Sequence, residues 1–357
     1  MAGNFTESDK HLIILTPGFP EDELDFNCLP SVQGYIQALA KEIGPQRITV
    51  LSFQYPFEKG WYQWKGINVY SAGGKNKRGI FRIFTFLKIK KVFAAIRKQH
   101  PEIVIHSLWL TATAYLGQQF ASRYNLTHIA SILGQDALSS NHYLKLMKKE
   151  KLQIVANSQF SADQLTVHFQ SKLPVMVIPL GINPEQYEQL TTSTTQYDLV
   201  TAGSFTELKR YHLFIELVKD LKKDFPQLKV AMAGDGPLRK KLQQQIAEEG
   251  LITTISLLGA IPNNTILKLF HQSKIFVHTS RYEASSHAIL EAGYAGIPTV
   301  CFKVGFHPVK DMIYPCSDLA EMKIRITSLL SQPIHFVPTP VPLIHETVKQ
   351  YRELYGI

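Results

Sequence analysis

The sequence predicts an α/β protein with two domains, each built on a parallel sheet with crossover helices. The first observation is its length, because 357 residues suffice for about two domains of ~150 residues each. The second is the alternation of short apolar runs with helical patterns along the whole chain, which is typical of parallel sheets. The third is a hydrophobic fraction of 45%, which allows two sizeable cores.

Composition narrows the class of protein further. Cys28, Cys301 and Cys316 show neither metal spacing nor an even disulfide framework, so we expect reduced thiols in a cytoplasmic protein. The apolar run near the amino terminus has four residues, and no other segment approaches the roughly eighteen uncharged apolar residues of a membrane span. We expect neither a signal peptide nor a span, and neither a bound cofactor nor a metal.

The formal charge of +9 is concentrated in the first half of the chain. Residues 1–178 carry 20 Lys/Arg against 12 Asp/Glu, and the remainder carries 18 against 17. The segment 79–99 interleaves aromatic and basic residues without any acidic residue. Two interpretations stay open for it. Residues 75–98 could lie on an anionic membrane surface near a lipid-linked acceptor, or the helix packs by its aromatic face and its lysines are merely solvated. No recognition motif accompanies the charge, so we do not expect nucleic acid as a partner.

The elements of the first half follow in a regular order. We predict strands where apolar runs are short and bounded by turn residues, and helices where apolar residues recur every three or four positions. The predicted strands are residues 12–15, 48–53, 103–106, 128–132, 154–157 and 175–178, and the predicted helices are 31–42, 79–99 and 111–124, with another beginning near Ser158.

Two titratable residues of the first half lie near predicted strand ends, where ligands of α/β sheets bind. His106 ends the strand 103–106, and Asp136 follows the strand 128–132. We name both as candidates for the acceptor side of a site. The alternatives are a structural histidine and an aspartate that caps a helix.

A polar run, TTSTTQ at residues 191–196, is the only segment of linker type. We therefore predict an amino-terminal domain over residues 1–178, a linker over 179–196, and a second domain over 197–340. Residues 341–357 would form a terminal helix.

The second half repeats the alternation. Strands are predicted at residues 199–205 (with its turn), 230–233, 255–257 and 275–278, and helices from residue 211 and over 264–272. Lys209 and Arg210 lie at the start of a helix, where cations oppose the dipole unless an anion lies between them and the helix end. They indicate a phosphate site, although two surface cations would give the same pattern. The turn after residue 233 is not a dinucleotide motif, because Arg239 stands where the third glycine belongs.

Residues 278–300 carry the strongest local signal. Ser285 or Ser286 can cap a helix there, a buried stripe follows, and Gly296 with Pro298 ends it. Glu283 precedes the cap and Glu291 lies on the second turn. The helix start can receive a diphosphate, and ionised carboxylates can accept hydrogen bonds from ribose and sugar hydroxyls. Solvated charges at the two helix ends are the alternative.

The order of these motifs resembles family 4 of the retaining glycosyltransferases with two Rossmann-like domains (GT-B), also called group 1. The matching residues are Asn157-Ser158, residues 178–182, Ala202-Gly203-Ser204 with Lys209, residues 233–237, Leu258-Gly259, and Glu283 with Glu291-Ala292 and Gly296-Ile297-Pro298. The resemblance is specific over residues 154–300. It implies two domains facing each other across a cleft, with a terminal helix that crosses back onto the first.

The resemblance also implies roles for individual residues. Lys209 would neutralise the donor diphosphate, and Glu283 would orient the donor sugar; these two are the implied catalytic residues. Glu291 would hold the ribose, and the loop at Ala260-Ile261 would meet the nucleobase. The remaining implied donor-binding residues are Gly203, Ser204, Arg210, Gly234, Ser285, Ser286 and His287.

The sequence departs from the family pattern at Ser204, where an arginine is usual, and at Leu133, where a histidine is usual. We predict a retaining transferase that moves a sugar from a nucleoside-diphosphate-sugar to a hydroxyl of a saccharide or lipid-linked acceptor. Its setting would be cell-surface polysaccharide or glycolipid synthesis, in the cytoplasm or on the inner face of the membrane. The departures leave an alternative, namely a non-catalytic sugar-nucleotide-binding or membrane-surface assembly subunit.

Overall fold

The computed structural model describes residues 10–58, 60–77, 79–148, 152–169, 174–187, 194–305, 312–333 and 335–357. The chain forms two compact units. The first contains the described residues up to Gly181 together with Ile344–Ile357, and the second is Ile182–Leu343. The change of unit at residue 181 falls inside the linker predicted at 179–196, of which residues 188–193 lie outside the described residues.

The first unit contains an eight-stranded sheet. Its strands are β1 His11–Gly18, β2 Ile48–Tyr55, β3 Gly60–Trp64, β4 Ile67–Ser71, β5 Ile103–Leu108, β6 Thr127–Ile132, β7 Gln153–Ala156 and β8 Val175–Val177. They lie in the order β3-β4-β2-β1-β5-β6-β7-β8. All neighbours are parallel except β3 and β4, which form an antiparallel hairpin at one edge. This hairpin was not predicted from the sequence.

Helices cover both faces of this sheet. They are α1 Pro30–Ile43, α2 Ile80–Gln99, α3 Ala112–Tyr124, the short α4 Tyr143–Leu146, and α5 Gln159–Phe169. Strand β1 shows why two layers form. Leu12 and Ile14 belong to one core cluster, and Ile13 and Leu15 to another. Because successive side chains of a strand point to opposite faces, a wholly apolar strand must be buried from both sides.

The terminal helix α11, Ile344–Tyr355, packs into the core of the first unit. Its Tyr351 and Tyr355 are almost completely buried, and the Tyr351 and Ser131 hydroxyls are 2.8 Å apart. The prediction that the end of the chain returns to the first domain is confirmed. The helix lies within the predicted range of residues 341–357.

The second unit contains a six-stranded, wholly parallel sheet in the order β11-β10-β9-β12-β13-β14. The strands are β9 Tyr197–Ala202, β10 Val230–Ala233, β11 Ile255–Gly259, β12 Ser273–His278, β13 Thr299–Phe302 and β14 Ile313–Cys316. The helices are α6 Tyr211–Asp224, α7 Arg239–Glu248, α8 Ile266–His271, α9 His287–Ala295 and α10 Leu319–Leu330. This is the doubly wound order in which the first and fourth strands are neighbours. The predicted α/β class with two parallel sheets is confirmed.

None of the helices in the described parts of the chain combines the length and the apolar content needed to cross a bilayer.

Candidate functional site

The candidate site lies at the point where the sheet of the second unit changes its winding direction. Strand β9 connects to β10 on one side, and β12 connects to β13 on the other. The loops that follow β9 and β12 therefore separate at the carboxyl ends of the strands, and such switch points are where doubly wound sheets bind ligands. The loop after β9 supplies Lys209, and the loop after β12 supplies Glu283.

Lys209 and Glu283 meet across this switch point. The Lys209 ammonium Nζ lies 2.6 Å from Glu283 Oε1, and both side chains are largely but not completely buried. Burial by itself would raise the pKa of the Glu283 carboxyl, but the hydrogen bond from His278 and the charge of Lys209 outweigh it and hold that pKa well below its usual range. The Glu283 carboxyl is therefore ionised at neutral pH.

His278 is the third member of this group, and it was not among the site residues predicted from the sequence. It ends β12 and is almost completely buried, and its Nε2 lies 3.2 Å from the same Oε1 of Glu283. The hydroxyls of Ser280 and Ser286 lie 3.3 and 3.4 Å from that nitrogen. Its Nδ1 is buried and has no hydrogen-bond partner among the described residues. The available signal was a histidine at the end of an apolar strand, five residues before Glu283.

The start of α9 is open. Ser286 holds the N-cap position, but its side chain makes no capping hydrogen bond to the helix. The prediction that Ser285 or Ser286 caps α9 is therefore wrong in its hydrogen bonding, because the Ser286 hydroxyl faces His278 instead. The first amide groups of a helix have no partner inside the helix. The Ile289 amide donates to the Ser286 carbonyl oxygen at 3.1 Å, and the amides of His287 and Ala288 are left for another acceptor. Gly296 ends α9 in the left-handed conformation, as predicted.

Glu291 lies on the second turn of α9 and is buried. The Tyr187 hydroxyl donates a hydrogen bond of 2.8 Å to Glu291 Oε1, and His287 Nε2 is 3.8 Å from the same oxygen. Burial raises the pKa of Glu291 to about 7, although hydrogen bonds from Tyr187 and Asn263 act in the opposite direction. Tyr187 lies inside the segment predicted as a linker, where no sequence pattern indicated a site residue.

The guanidinium of Arg210 is already hydrogen-bonded to backbone groups and is not a free cation. It has left-handed backbone angles, with φ at 50°, at the start of α6. Its guanidinium donates to the carbonyl oxygens of Thr279 and Ser280 at 3.0 and 3.1 Å and lies over the ring of Phe302. These contacts tie the loop after β9 to the loop after β12, so the structure gives Arg210 a positioning role. Its predicted contact with the donor stays a prediction.

Two glycines permit close backbone approaches around the site. A Cβ at Gly234 would lie 2.0 Å from the Gly203 carbonyl oxygen, and one at Gly305 would lie 1.8 Å from the carbonyl oxygen of Glu283. Both glycines also have positive φ values, which disfavour any side chain. Gly234 thus keeps the loops after β9 and β10 together, and Gly305 lies directly against the backbone of Glu283.

The other predicted donor residues lie at the same edge of the sheet. Ser204 is exposed in the loop after β9, and Ala260 and Ile261 are half-buried just after β11. A hydrogen bond of 2.7 Å from the Gly234 amide to the Gly259 carbonyl joins the loop after β10 to the last residue of β11. The structure therefore brings these residues, predicted to bind the sugar donor, to the carboxyl-terminal edge of the second sheet.

The two acceptor candidates of the first unit have internal partners instead. Strand β5 continues to Leu108, so His106 lies within the strand and not at its end. Its Nε2 is 2.7 Å from the Ser131 hydroxyl, and its Nδ1 is 2.6 Å from the Tyr355 hydroxyl. Burial lowers the pKa of His106 to about 3. These contacts support the structural alternative for His106, and its acceptor role stays a prediction.

Asp136 also has partners within the first unit. Its carboxylate accepts hydrogen bonds from the backbone amides of Leu110 and Gly134, both at 2.8 Å, and of Leu133 at 3.3 Å. It therefore joins the loop after β5 to the loop after β6. The predicted helix cap is not seen, because neither neighbouring helix start has a side-chain cap. The acceptor role of Asp136 stays a prediction.

Within the described residues, no three His, Cys, Asp or Glu side chains converge as metal ligands do. The expectation that the reaction needs no metal stays a prediction.

The sequence has recognisable relatives. Residues 183–310 match the family of group 1 glycosyl transferases. Among curated proteins, a phosphatidylinositol N-acetylglucosaminyltransferase subunit of Arabidopsis thaliana is 26% identical over 140 residues, 39% of this chain and 31% of that protein. An uncharacterized glycosyltransferase of Methanocaldococcus jannaschii is 23% identical over 276 residues, 70% of this chain and 67% of that protein. The chain thus matches about a third of the length of the plant relative.

Solved structures resemble the whole chain. The sucrose-phosphate synthase of Thermosynechococcus elongatus superposes with a TM-score of 0.72 at 17% identity, covering 97% of this chain and 95% of that one. Anabaena HepE, solved in complex with UDP and glucose, superposes with a TM-score of 0.67 at 15% identity, covering 96% and 98%. At these identities the likeness shows the fold, which is GT-B.

Proposed function

Because residues 183–310 match the group 1 glycosyl transferases and the chain has the GT-B fold, we propose that this protein transfers a sugar from a nucleoside-diphosphate-sugar to an acceptor hydroxyl. One observation carries the proposal. Lys209 is paired with Glu283 at 2.6 Å, next to the uncapped start of a helix that carries Glu291 on its second turn. A cation, an open helix start and two carboxylates suit a diphosphate flanked by a sugar and a ribose.

The chemistry follows from these charges. When the sugar–phosphate bond breaks, its electron pair goes to the leaving diphosphate, and negative charge grows on the phosphate oxygens. Lys209 has three N–H donors, so it can keep Glu283 and still donate to a phosphate oxygen. The amides at the start of α9 supply further donors whose orientation is already fixed. Such preorganised donors are usually the largest single contribution to lowering a barrier.

Glu283 and Glu291 would bind the two ends of the donor. The negative charge that His278 and Lys209 maintain on Glu283 suits it to accept hydrogen bonds from hydroxyls of the donor sugar. Glu291 would accept from the ribose, with Tyr187 orienting its carboxylate. The loop at Ala260-Ile261 would meet the base. We further propose retention at the anomeric carbon, with the acceptor hydroxyl attacking from the side of the leaving phosphate, which takes its proton.

A nucleotide panel tests donor binding first. UDP, GDP, ADP and CDP are each added to the purified protein, and the unfolding temperature is measured. A ligand present at a hundred times its dissociation constant stabilises the protein by about 2.7 kcal/mol, so the cognate nucleotide should raise the midpoint by several degrees. UDP is the first probe, since HepE and a pneumococcal O-GlcNAc transferase were solved with it. If none of the four shifts the midpoint, the assignment of a nucleotide site is wrong.

Turnover separates an enzyme from a binding subunit. The bound nucleotide identifies the donors, which are incubated with a lipid extract or with saccharide acceptors, and nucleoside diphosphate release is measured. Release that depends on the acceptor supports the transferase, and the anomeric configuration of the product, read by NMR, tests retention. Donor binding without release would support the alternative, a non-catalytic sugar-nucleotide-binding subunit.

We also propose that the first unit lies on an anionic membrane surface through the first half of α2. Phe81, Ile83, Phe84 and Leu87 are each more than half exposed, while Ile89, Phe93 and Ile96 bury the opposite face. Exposed Lys90, Lys91 and Lys98 continue the outer face. Apolar side chains beside lysines, without acidic residues, match the interface of a bilayer that contains anionic lipids. This arrangement supports a lipid-linked acceptor in polysaccharide or glycolipid synthesis. The three free thiols support a location of the protein in the cytoplasm.

Vesicle sedimentation tests this surface. The protein should sediment with vesicles of phosphatidylcholine and phosphatidylglycerol, and much less with phosphatidylcholine alone, because each lysine near an anionic surface contributes about 1 kcal/mol. Replacing Phe84 and Leu87 by serine should abolish sedimentation. The control is Ile252→Ser, which removes an even more exposed apolar side chain of the second unit. Equal sedimentation of both variants would contradict the proposal without affecting the donor assignment.

A further inference from the structure

The first unit contains a cavity of about 560 Å³ that the transfer reaction does not use. It lies between the β3–β4 hairpin and the last turns of α2, and its walls include Trp61, Gln63, Asn68, Ile96, Gln99 and His100. Its volume is within the range of about 300–1,000 Å³ that small-molecule sites occupy. Thr49, near the amino end of β2, also lines it. The cavity is therefore at the opposite edge of the sheet from the carboxyl ends of the strands.

One wall of the cavity is an aromatic platform. Trp61 is 55% exposed, whereas Trp64, three residues later on the same hairpin, is fully buried. The Trp61 ring meets the edge of Tyr70 with 5.3 Å between ring centroids, and the two residues are directly paired between β3 and β4. The neighbour fixes the orientation of the indole and leaves much of its surface accessible. The indole therefore offers an accessible apolar face at the wall of the cavity.

Beside the platform lie amide side chains. Gln63 and Asn68 are cross-strand partners, so they lie next to the Trp61–Tyr70 pair on one face of the hairpin. Gln99 faces them from α2. All three side chains are exposed, and none of the three amides has a hydrogen-bond partner among the described residues. Each amide offers one acceptor and two N–H donors.

The lining is mainly aromatic, amide and apolar, with the imidazole of His100 beside these groups. Among the described residues around the cavity there is no Lys, Arg, Asp or Glu, although α2 itself carries six Lys/Arg. Aromatic and amide groups without charge do not select phosphates, carboxylates or cations. They suit a neutral ligand with an apolar face and many hydroxyls. A pyranose ring has this combination, since its axial C–H groups can pack on an indole while its equatorial hydroxyls donate to and accept from amides.

We propose that this cavity binds a neutral saccharide, with Trp61 as the stacking surface and Gln63, Asn68 and Gln99 as hydrogen-bond partners. A saccharide held there is bound without reacting, because the site lies at the edge of the sheet away from the carboxyl ends of the strands. The proposal does not require transferase activity, and it concerns residues that have no part in donor binding.

Isothermal titration calorimetry with chitobiose, maltotriose and mannotriose tests the site on the full chain. We expect at least one of these neutral oligosaccharides to bind, and galacturonic acid, which is charged, to bind at least tenfold more weakly. Trp61→Ala should weaken binding at least tenfold, and Trp61→Phe should weaken it less because a ring is retained. Replacing Gln63 and Asn68 together by alanine should weaken it severalfold.

Two controls separate this cavity from other sites. Phe57→Ala removes an exposed aromatic side chain outside the cavity and should leave saccharide binding unchanged. Lys209→Ala, together with saturating UDP on the unaltered protein, should also leave it unchanged. Failure of all three oligosaccharides to bind, binding that survives Trp61→Ala, or competition by UDP would each overturn the proposal. None of these results would affect the donor assignment.

Discussion

Two buried histidines on corresponding strands show what distinguishes a structural core from a site in this protein. His106 lies on β5 and His278 on β12, and each strand is the neighbour of its sheet's first strand across the switch point. Burial lowers the pKa of both imidazoles. His106 meets two neutral hydroxyls, one of them from the terminal helix. His278 meets a carboxylate that is already paired with a lysine.

A histidine's place on a corresponding strand of the sheet is therefore not enough to create a site. Both ring nitrogens of His106 have a neutral hydroxyl as hydrogen-bond partner within the core. The group of His278, Glu283 and Lys209 contains charges that can also serve a bound anion or hydroxyl. Substitutions and a pH profile of donor binding test this distinction.

Lys209→Ala should have the largest effect. Removing a preorganised donor from a developing anion typically raises the barrier by about 3–4 kcal/mol, so kcat/KM should fall on the order of a hundredfold or more. The matched control is Lys219→Ala, which removes the exposed ion pair with Glu249 in the same unit and should change kcat/KM less than twofold. Turnover within a factor of two for Lys209→Ala would end the diphosphate assignment.

His106→Ala should lower stability and not catalysis. It leaves the Ser131 and Tyr355 hydroxyls without their imidazole partner in a closed core, which costs about 2–3 kcal/mol. Urea unfolding of the first unit measures this loss, and kcat/KM per folded molecule should be unchanged at a temperature where the variant is folded. A large fall in kcat/KM with unaltered stability would instead support the role of His106 in binding the acceptor.

His278→Ala should show the opposite division. It removes the hydrogen bond to ionised Glu283, and such bonds contribute about 1.5–3 kcal/mol. We expect kcat/KM to fall about tenfold or more, while His278→Asn, which keeps an N–H donor, should restore part of it. The pH profiles of the two variants provide the readout that a purely structural role would not change. If alanine and asparagine were equally impaired, the positioning role would be contradicted.

Donor binding should depend on pH through Glu291. Its pKa is raised to about 7, so the carboxyl is ionised above that pH and protonated below it. Because the ionised form is the better acceptor for two ribose hydroxyls, the donor KM should rise as the pH falls from 8 to 6, by up to about tenfold per pH unit (1.4 kcal/mol). Glu291→Gln should bind more weakly and lose this pH dependence. A flat KM profile for the unaltered protein would contradict the ribose role.

Ser286→Ala should have the smallest effect on stability in the absence of nucleotide. Its hydroxyl does not cap α9, so the loss should be below the ~1 kcal/mol that a capping side chain contributes. Asp318 is the matched control, because its side chain accepts from the Glu321 amide at the start of α10, and Asp318→Ala should cost the full amount. Equal losses in urea unfolding would show that α9 is capped and its amides are not open.

Much of the second unit could be predicted from short stretches of sequence. The strand–turn–helix pattern over residues 278–300 located α9, its end at Gly296 and the places of both glutamates. Lys209 and Arg210 were correctly placed at a helix start, but only the structure separates them. Lys209 faces Glu283, and Arg210 holds two carbonyl oxygens. The choice between these partners depends on the path of the loop after β12.

Residue patterns alone predicted the α/β alternation, the two sheets and the positions of Lys209, Glu283 and Glu291, because such patterns depend on side chains a few positions apart. The folded structure was needed to show which polar groups have hydrogen-bond partners inside the protein. Tyr187 reaches Glu291 across 104 positions of sequence, and Tyr355 reaches His106 across 249. Hydrogen-bond partners at such separations are set by packing of the folded chain, and they decide whether a buried titratable group belongs to a core or to a site.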